Sequence, residues 1–364
     1  MKKIVVIIMA LLTLCSAAIL PVSACAEGTD SEYDLSASGE LIKTVGRTLT
    51  NEKGIYVAWS NSGISFKGVF QGKVQLELYS STNYTNIAVA IDGVYSRMNR
   101  FAIYSGTNTY TIADVESGEH TIEVFKLNEA AWGYLIFSKL WVNGKLTEKP
   151  EEKPLQIEII GDSLTCGFGI YPSGGKKDYP VMPGKSYEEE DSFYTYAGLT
   201  ARRLNADASF VSLSGWGVTQ GGDGDPMNYI PRIYKQTCGV SADPLLEDWD
   251  FSSHQVDLVI CSLGTNDWKM WSEGGEKVLK EGIVNFCKTI RSCYPNAKIV
   301  WCYGLMHSLM EETIRSAVES VNDSDLYYFS MPTNTAGGAD HADYWGHDAA
   351  AEQLLRDLRS IGIQ

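Results

Sequence analysis

The sequence predicts a β-sandwich of jelly-roll type in the N-terminal part and, in the C-terminal part, a three-layer α/β/α domain with a parallel sheet. Three observations support this prediction. The chain of 364 residues is longer than a typical single domain. Short strands between turns fill the first part, and strands that alternate with helical segments fill the second. Between them, residues 149–154 form a charged segment with two prolines, which is typical of a linker.

Residues 1–26 have the pattern of a secretory signal peptide. Two lysines precede an apolar run over residues 4–20, and small residues follow it. Cleavage after Ala26 would give a soluble secreted protein, whereas lipoprotein processing would leave the protein lipid-anchored at the cell surface through Cys25. The residues leave both routes open, and both predict a protein that acts outside the cytoplasm.

The β-sandwich is predicted over residues 35–148. Val74–Tyr79 and Thr121–Phe125 alternate apolar and polar residues, as strands with one buried face do. Further strands are predicted at Gly54–Trp59, Gly63–Phe66 and Ile87–Ile91, and turns at Asp92-Gly93, Ser117-Gly118 and Asn143-Gly144.

The α/β domain is predicted over residues 155–364. In parallel sheets covered by helices, ligands gather beyond the carboxyl ends of the strands, so polar motifs at those ends are candidate site residues. The predicted strands are Leu155–Ile160, Ala208–Leu213, Val256–Leu263, Ile299–Tyr303 and Leu326–Ser330, and the predicted helices are Phe193–Leu204, Lys277–Arg291, Met310–Val321 and His347–Leu358.

Charge and composition exclude several partners. With 45 acidic and 30 basic residues the formal net charge is −15, which repels phosphate backbones and argues against a nucleic-acid partner. Outside residues 4–20 no stretch is apolar enough to span a bilayer, so we expect no integral membrane partner. The cysteines beyond the signal peptide have no metal-ligand spacing, so no metal site is predicted. We expect a monomer.

Polar motifs follow three of the predicted strands. Gly161-Asp162-Ser163 follows the first, where a serine could act as a nucleophile beside free backbone N–H groups. Ser214-Gly215-Trp216-Gly217 follows the second, and its glycines allow a backbone N–H to approach a ligand closely. Gly264-Thr265-Asn266-Asp267 follows the third, and Asn266 could donate its amide to an oxyanion. Each motif alone could equally be a turn.

One of the five histidines could be the general base that a nucleophilic serine needs. His341 lies in a loop before the last predicted helix, a position from which it could reach the end of a strand. His307 follows a strand and is a second candidate. His347 is assigned a structural role at the start of the last helix.

Together these motifs resemble the block pattern of the SGNH/GDSL hydrolase superfamily, and more narrowly carbohydrate esterase family 2, the acetylxylan esterase-like deacetylases that bacteria secrete. The resemblance spans about residues 40–360 and implies an SGNH-hydrolase fold for the C-terminal domain. The matching segments are Ile157–Gly169 and Ser214–Val218, with Gly46-Arg47, Asp92-Gly93, Gly118-Glu119-His120 and Lys126-Leu127-Asn128-Glu129 in the β domain.

The resemblance implies a serine esterase that needs no cofactor. It assigns Ser163 as the nucleophile and His341 as the general base. The backbone N–H groups of Ser163 and Gly215, with the side chain of Asn266, would form the oxyanion hole. Gly217 is the alternative to Gly215 as the second backbone donor.

The group that orients His341 is left open by the sequence. The family commonly has Asp, one residue, His and Pro, whereas here Asp340 directly precedes His341 and Ala342 replaces the proline. Asp340 would complete a catalytic triad if the loop bends. Otherwise a backbone carbonyl would orient the imidazole in a Ser–His dyad, and Asp343 is a further candidate.

Trp216, Trp268 and Trp345 lie close to these motifs in the sequence and are predicted to bind sugar rings, with core packing as the alternative role. The predicted function is the removal of O-acetyl groups from polysaccharides or oligosaccharides, such as xylan and glucomannan, through an acetyl-enzyme. The alternatives are an SGNH lipase or thioesterase, and a catalytically decayed carbohydrate-binding surface protein.

Overall fold

The computed structural model describes residues 30–171, 190–238 and 246–364. The predicted signal peptide, with Cys25, lies outside these ranges. The described residues form two sheets, an antiparallel one of nine strands followed by a parallel one of five. The predicted order of an antiparallel β domain and a parallel α/β domain is therefore confirmed. Within the described ranges, no helix is both long and apolar enough to cross a membrane.

The antiparallel sheet is built around three long strands, which pair in the order β9-β5-β8 at its centre. Its full order is β3-β4-β9-β5-β8-β6-β7, with β1 paired to β9 and β2 to β5. The strands are β1 Asp30–Asp34, β2 Ile42–Val45, β3 Thr48–Asn51, β4 Gly54–Val57, β5 Gly63–Ser80, β6 Thr85–Ile91, β7 Val94–Ile103, β8 Gly106–Lys126 and β9 Leu135–Glu148.

Two of the predicted turns are wrong, because the glycines on which these predictions rest lie inside long strands. Ser117-Gly118 lies inside β8, and Asn143-Gly144 lies inside β9. A Cβ on Gly144 would lie 2.3 Å from the carbonyl oxygen of Val69, so this glycine permits a close approach of two strands rather than a reversal of the chain. Two predicted strands, Gly63–Phe66 and Val74–Tyr79, are likewise parts of the single strand β5, which has register shifts along its length.

The parallel sheet has the order β11-β10-β12-β13-β14, so the first strand of the domain lies between the second and third. All five strands occur where the sequence predicts them, with small differences at the ends. They are β10 Leu155–Gly161, β11 Ala206–Ser212, β12 Leu258–Ser262, β13 Lys298–Tyr303 and β14 Leu326–Ser330.

Helices cover both faces of this sheet and give the predicted three layers. Helices α2 and α6 pack on one face, and α4 and α5 pack on the other, each pair over a buried apolar core. The helices are α1 Ser163–Cys166, α2 Tyr196–Arg203, α3 Trp268–Met270, α4 Glu276–Cys293, α5 Glu311–Ser320 and α6 Tyr344–Ser360. Single helical turns occur at Ala130–Trp132, Ser192–Tyr194, Ile230–Arg232, Thr265–Asp267 and Gly338–Asp340, and a π-helical segment at Trp271–Gly275.

Helix α6 begins three residues before its predicted start. Asp343 caps it by accepting a hydrogen bond from the backbone N–H of Gly346, at 2.9 Å. His347 is fully buried inside the helix, and its Nδ1 accepts the backbone N–H of Tyr196 at 3.1 Å. Burial lowers the pKa of His347 to about 3, so it remains neutral and joins α6 to α2.

The two domains meet across a buried ion pair, which we call the Arg47–Glu158 cluster; it comprises these two residues with Tyr234 and Tyr294. Nη2 of Arg47, from the link between β2 and β3, lies 3.0 Å from Oε2 of Glu158 on β10, and both side chains are fully buried. The hydroxyls of Tyr234 and Tyr294 donate to the two oxygens of Glu158 at 2.7 and 2.9 Å. Each charge is therefore compensated.

Candidate active site

Ser163 stands at the point where the central strand β10 turns into α1. Asp162 caps that helix by accepting the backbone N–H of Leu164 at 3.1 Å. Gly161 is required here, because a Cβ at this position would lie 2.0 Å from Oγ1 of Thr165. Ser163 is 6% exposed, so only a small part of the residue reaches solvent.

His341 contacts Ser163 directly. Its Nε2 lies 2.9 Å from Oγ of Ser163, which is the distance that proton transfer from serine to histidine requires. His307 does not take this place, since its Nδ1 lies 2.8 Å from the hydroxyl oxygen of Tyr303.

The loop that carries His341 packs on the chain just beyond Ser163. The backbone N–H of Gly338 donates to the carbonyl of Gly169 at 2.8 Å, and that of Tyr344 donates to the carbonyl of Ile170 at 3.1 Å. A Cβ on Gly169 would lie 2.4 Å from the oxygen of Gly338, so the glycine lets the two segments touch. The ring of Phe168 packs against the imidazole with 4.9 Å between ring centres. Residues 168–170 therefore hold the loop that carries His341.

A backbone carbonyl orients the imidazole. Nδ1 of His341 lies 2.9 Å from the carbonyl oxygen of Ala339, to which it donates its proton. The neighbouring Asp340 affects the ring through its charge, which raises the pKa of His341. The structure therefore supports the dyad alternative, with the carbonyl of Ala339 in the position that a carboxylate takes in a triad. Both Ala339 and Asp340 have positive φ, +50° and +59°.

Burial lowers the pKa of His341 below its usual value of 6.5, more than the carbonyls of Ala339 and Gly338 and the charge of Asp340 raise it. The imidazole is therefore neutral at pH 7. With its proton on Nδ1, Nε2 has a free lone pair toward the serine hydroxyl.

Two backbone N–H groups of the first two motifs are candidate donors to an oxyanion. Within the described ranges, those of Ser163 and Gly215 have no hydrogen-bond acceptor in the protein. The N–H of Gly217, by contrast, donates to the carbonyl of Asn228 at 3.2 Å. The hydrogen-bond pattern therefore favours Gly215 over Gly217 as the second backbone donor.

The side-chain amide of Asn266 lies between the first two motifs. Its Nδ2 donates to the carbonyl of Trp216 at 2.9 Å, and its second contact, to Oδ2 of Asp162, is 3.4 Å long. One N–H thus holds the amide in place and the other is weakly engaged. Asp162 itself is fully buried, and burial raises its pKa to about 7.

Asp267 ties the second and third motifs together, a role that the sequence analysis did not assign. Its carboxylate accepts the backbone N–H groups of Val218 and Thr219, at 2.8 and 2.9 Å, and the hydroxyl of Thr219 at 2.6 Å. The only signal in the sequence is an acidic residue directly after Asn266, and its burial is seen in the structure.

A second cluster of buried charged residues joins the antiparallel domain to the Ser214-Gly215 motif, and the sequence analysis did not predict it. The Lys126–Glu129–Glu190 cluster consists of these three fully or almost fully buried residues. One oxygen of Glu129 accepts the backbone N–H of Ser214, the residue before Gly215. Burial raises the pKa of both carboxyl groups, which are hydrogen-bonded to each other.

The three tryptophans proposed to bind sugars lie on the segments that carry the site residues. Trp345 and Trp268 are 72% and 46% exposed, and Trp216 is half-buried with the guanidinium of Arg232 over its ring. The described ranges contain no group of three or more His, Cys, Asp or Glu residues that could hold a metal ion.

Two family models match the chain, one for each domain. The model described as carbohydrate esterase 2 N-terminal matches residues 44–150. The model of the GDSL-like lipase/acylhydrolase family matches residues 159–361, more than half of the chain.

Two relatives found by sequence comparison are named as esterases. The cellulase/esterase CelE of Acetivibrio thermocellus is 29% identical over 263 residues, which are 70% of this chain and 31% of that longer protein. An acetylxylan esterase/glucomannan deacetylase of Cellvibrio japonicus is 25% identical over 340 residues, which are 91% of this chain and 92% of that one.

Solved structures extend the likeness over both domains. An acetyl xylan esterase of the rumen bacterium Butyrivibrio proteoclasticus has a TM-score of 0.82 at 24% identity, covering 91% of this chain and 99% of its own. A family two carbohydrate esterase of Clostridium thermocellum, solved in complex with cellohexaose, has a TM-score of 0.79 at 26% identity, covering 89% and 100%. With both models matched in order, the chain belongs to the GDSL-like lipase/acylhydrolase family, in the two-domain form of carbohydrate esterase family 2, and is a carboxylic ester hydrolase.

Proposed function

We propose that the protein removes O-acetyl groups from acetylated plant polysaccharides, with Ser163 as the nucleophile and His341 as the general base. The observation that carries the proposal is the 2.9 Å contact between Oγ of Ser163 and Nε2 of a neutral His341, beside two unpaired backbone N–H groups. Xylan and glucomannan are the proposed substrates, because they occur in the names of relatives that align with most of this chain.

The reaction proceeds through an acetyl-enzyme. Oγ of Ser163 attacks the ester carbonyl carbon while Nε2 of His341 takes the hydroxyl proton. The N–H groups of Ser163 and Gly215, with the amide of Asn266, stabilise the negative oxygen of the tetrahedral intermediate. The imidazolium then gives its proton to the departing sugar hydroxyl, and a water molecule, activated in the same way, releases acetate.

The surroundings of the site suit a neutral glycan. The exposed faces of Trp268 and Trp345 offer apolar surfaces for sugar rings, and the net charge of −15 repels anionic polymers. We also propose that residues 1–26 direct the protein out of the cytoplasm, where such polymers are found.

The test is acetate release from acetylated xylan and acetylated glucomannan by the wild type and by Ser163→Ala. We expect release by the wild type and a loss of about 10³-fold or more in the variant. Ser209→Ala, a change at a serine on β11 away from the site, is the matched control and should retain the wild-type rate. Polysaccharide binding without release by the wild type would contradict the proposal and favour a binding protein.

A further inference from the structure

We propose that Glu129, a residue of the antiparallel domain, is a positioning residue for the oxyanion hole. Its carboxyl oxygen holds the N–H of Ser214 and thereby fixes the turn that presents the N–H of Gly215 to the nucleophile. The inference rests on the proposed esterase function of Ser163 and adds to it a contribution from the first domain.

The turn has the geometry that this role requires. The backbone N–H of Trp216 donates to the carbonyl of Leu213 at 3.3 Å, which closes a four-residue turn. Gly215, with φ of +79°, is the third residue of that turn, the position where type II turns need glycine. The two central N–H groups make no bond within the turn. Glu129 takes that of Ser214, and that of Gly215 remains for an oxyanion.

The same oxygen of Glu129 also contacts the helix of the nucleophile. Sγ of Cys166, in helix α1, donates to Oε2 of Glu129 at 3.4 Å. Ser163 begins that helix and supplies the other backbone donor. One buried atom from the first domain therefore ties together the two segments of the second domain that carry the backbone donors.

Glu129 is itself held rigidly. Its backbone N–H donates to Oε2 of Glu190 at 3.0 Å, and the indole N–H of Trp132 donates to Oε1 of Glu190 at 2.7 Å. The ammonium group of Lys126 donates to the backbone carbonyls of Asn128 and Glu129 at 2.6 and 2.7 Å. The carboxyl oxygen that reaches Ser214 thus has little freedom to move away from it.

The carboxyl groups of Glu129 and Glu190 are hydrogen-bonded to each other and burial raises the pKa of both, so we expect one proton between them, and this decides which substitution is conservative. In Glu129→Gln, the amide oxygen can accept the N–H of Ser214 while the amide N–H donates to Glu190 in place of the proton. In Glu129→Asp the charge is kept, but the shorter side chain withdraws its oxygens from Ser214. The two substitutions therefore separate the effect of side-chain length from the effect of charge at position 129.

The experiment compares kcat and KM for 4-nitrophenyl acetate among the wild type, Glu129→Asp, Glu129→Gln and Glu158→Gln. We expect Glu129→Asp to lower kcat by about 10- to 100-fold with KM within about twofold, because an oxyanion contact acts mainly in the transition state. Glu129→Gln should restore kcat to within about fivefold of the wild type. Glu158→Gln, which alters the other interdomain cluster, should lower stability toward urea and leave the kcat of the folded enzyme unchanged.

Two results would overturn the inference. One is a kcat for Glu129→Asp within about twofold of the wild type. The other is a Glu129→Gln enzyme as impaired as Glu129→Asp, since charge or packing would then explain the effect. Ser163→Ala, assayed in parallel, keeps the two proposals apart. If it still hydrolyses the ester the esterase mechanism itself fails, whereas an inactive Ser163→Ala beside a fully active Glu129→Asp refutes only the role of Glu129.

Discussion

Two buried charged clusters join the domains, and they differ in how their charges are satisfied. In the Arg47–Glu158 cluster, one guanidinium faces one carboxylate, and two tyrosine hydroxyls complete the carboxylate's hydrogen bonds. In the Lys126–Glu129–Glu190 cluster, two carboxyl groups accompany one ammonium, which donates hydrogen bonds to the backbone carbonyls of Asn128 and Glu129. These bonds of the first cluster join its own members, whereas in the second cluster a carboxyl oxygen of Glu129 accepts the backbone N–H of Ser214, the residue before Gly215.

The difference teaches that burial and charge alone do not indicate what a cluster does. Both clusters are inaccessible to solvent and both link the same two domains. Only the second contacts segments that present backbone donors to Ser163. We therefore assign the first to domain cohesion and the second to the geometry of the site, and substitutions at Arg47 and Glu190 test this division.

The largest effect is expected for Arg47→Met. The substitution leaves the carboxylate of Glu158 buried without its cation, which should cost about 3–5 kcal/mol in the free energy of unfolding. Urea denaturation would measure the loss, and acetate release by the folded fraction should remain within about twofold of the wild type. A loss below about 1 kcal/mol, or a strong drop in the rate of the folded enzyme, would remove the distinction between the clusters.

A smaller effect is expected for Glu190→Gln. Each oxygen of Glu190 accepts an N–H, one from Trp132 and one from Glu129. An amide at this position must turn its NH2 group toward one of these donors, which should cost about 1–3 kcal/mol in urea unfolding. Glu129→Gln should cost less, because it replaces the carboxyl group that we expect to carry the proton. Equal losses of unfolding free energy in the two variants would show that neither Glu129 nor Glu190 holds the proton preferentially.

The smallest effect is expected for Asp340→Asn, read from the pH dependence of kcat/KM. His341 must be neutral to accept the serine proton, so kcat/KM should fall about tenfold per pH unit below its pKa, which burial places under 6.5. Removing the charge of Asp340 lowers that pKa further and moves the acid limb to lower pH. The rate at pH 7 should remain within about twofold, since asparagine tolerates the φ of +59°.

A rate loss of about 100-fold or more in Asp340→Asn would instead make Asp340 a member of a catalytic triad. Asp162, whose pKa burial raises to about 7, and the Lys126–Glu129–Glu190 cluster would each add a second acid limb to the wild-type profile if they titrate in this range, and a limb due to the cluster would be lost in Glu129→Gln. The absence of a limb due to the cluster would support the assignment of this cluster to the geometry of the site rather than to proton transfer.

The sequence predicts the fold class and the reacting pair because both depend on local patterns. Strands alternating with helices predict the parallel sheet, and motifs at the strand ends place Ser163 and Gly215 at one edge of it. His341 is predicted from its position in the loop before the last helix and from the family resemblance, and its Nε2 lies 2.9 Å from Oγ of Ser163. The turns predicted at Gly118 and Gly144 are wrong because a glycine inside a strand looks the same in sequence as one in a turn, and at Gly144 the glycine permits a close strand approach.

The supporting groups could not be predicted, because their partners are far away in the chain. Glu158 interrupts an apolar strand, which indicates a buried charge, but nothing in the sequence identifies Arg47 as its partner. Glu190 belongs to a run of four acidic residues, 188–191, that looks like a solvated loop, and yet its side chain is buried. The carbonyl of Ala339 has no sequence signal, since every residue has a carbonyl.

That last property has an evolutionary consequence. A missense mutation can delete a carboxylate from a triad, but no missense mutation at codon 339 can delete a main-chain carbonyl. Selection on the orientation of His341 must therefore act on the path of the backbone, and the glycine contact between Gly169 and Gly338 helps fix that path. Among natural variants, position 340 should therefore vary among residue types that tolerate positive φ. Gly169 should be retained, because it keeps the backbone path that orients His341.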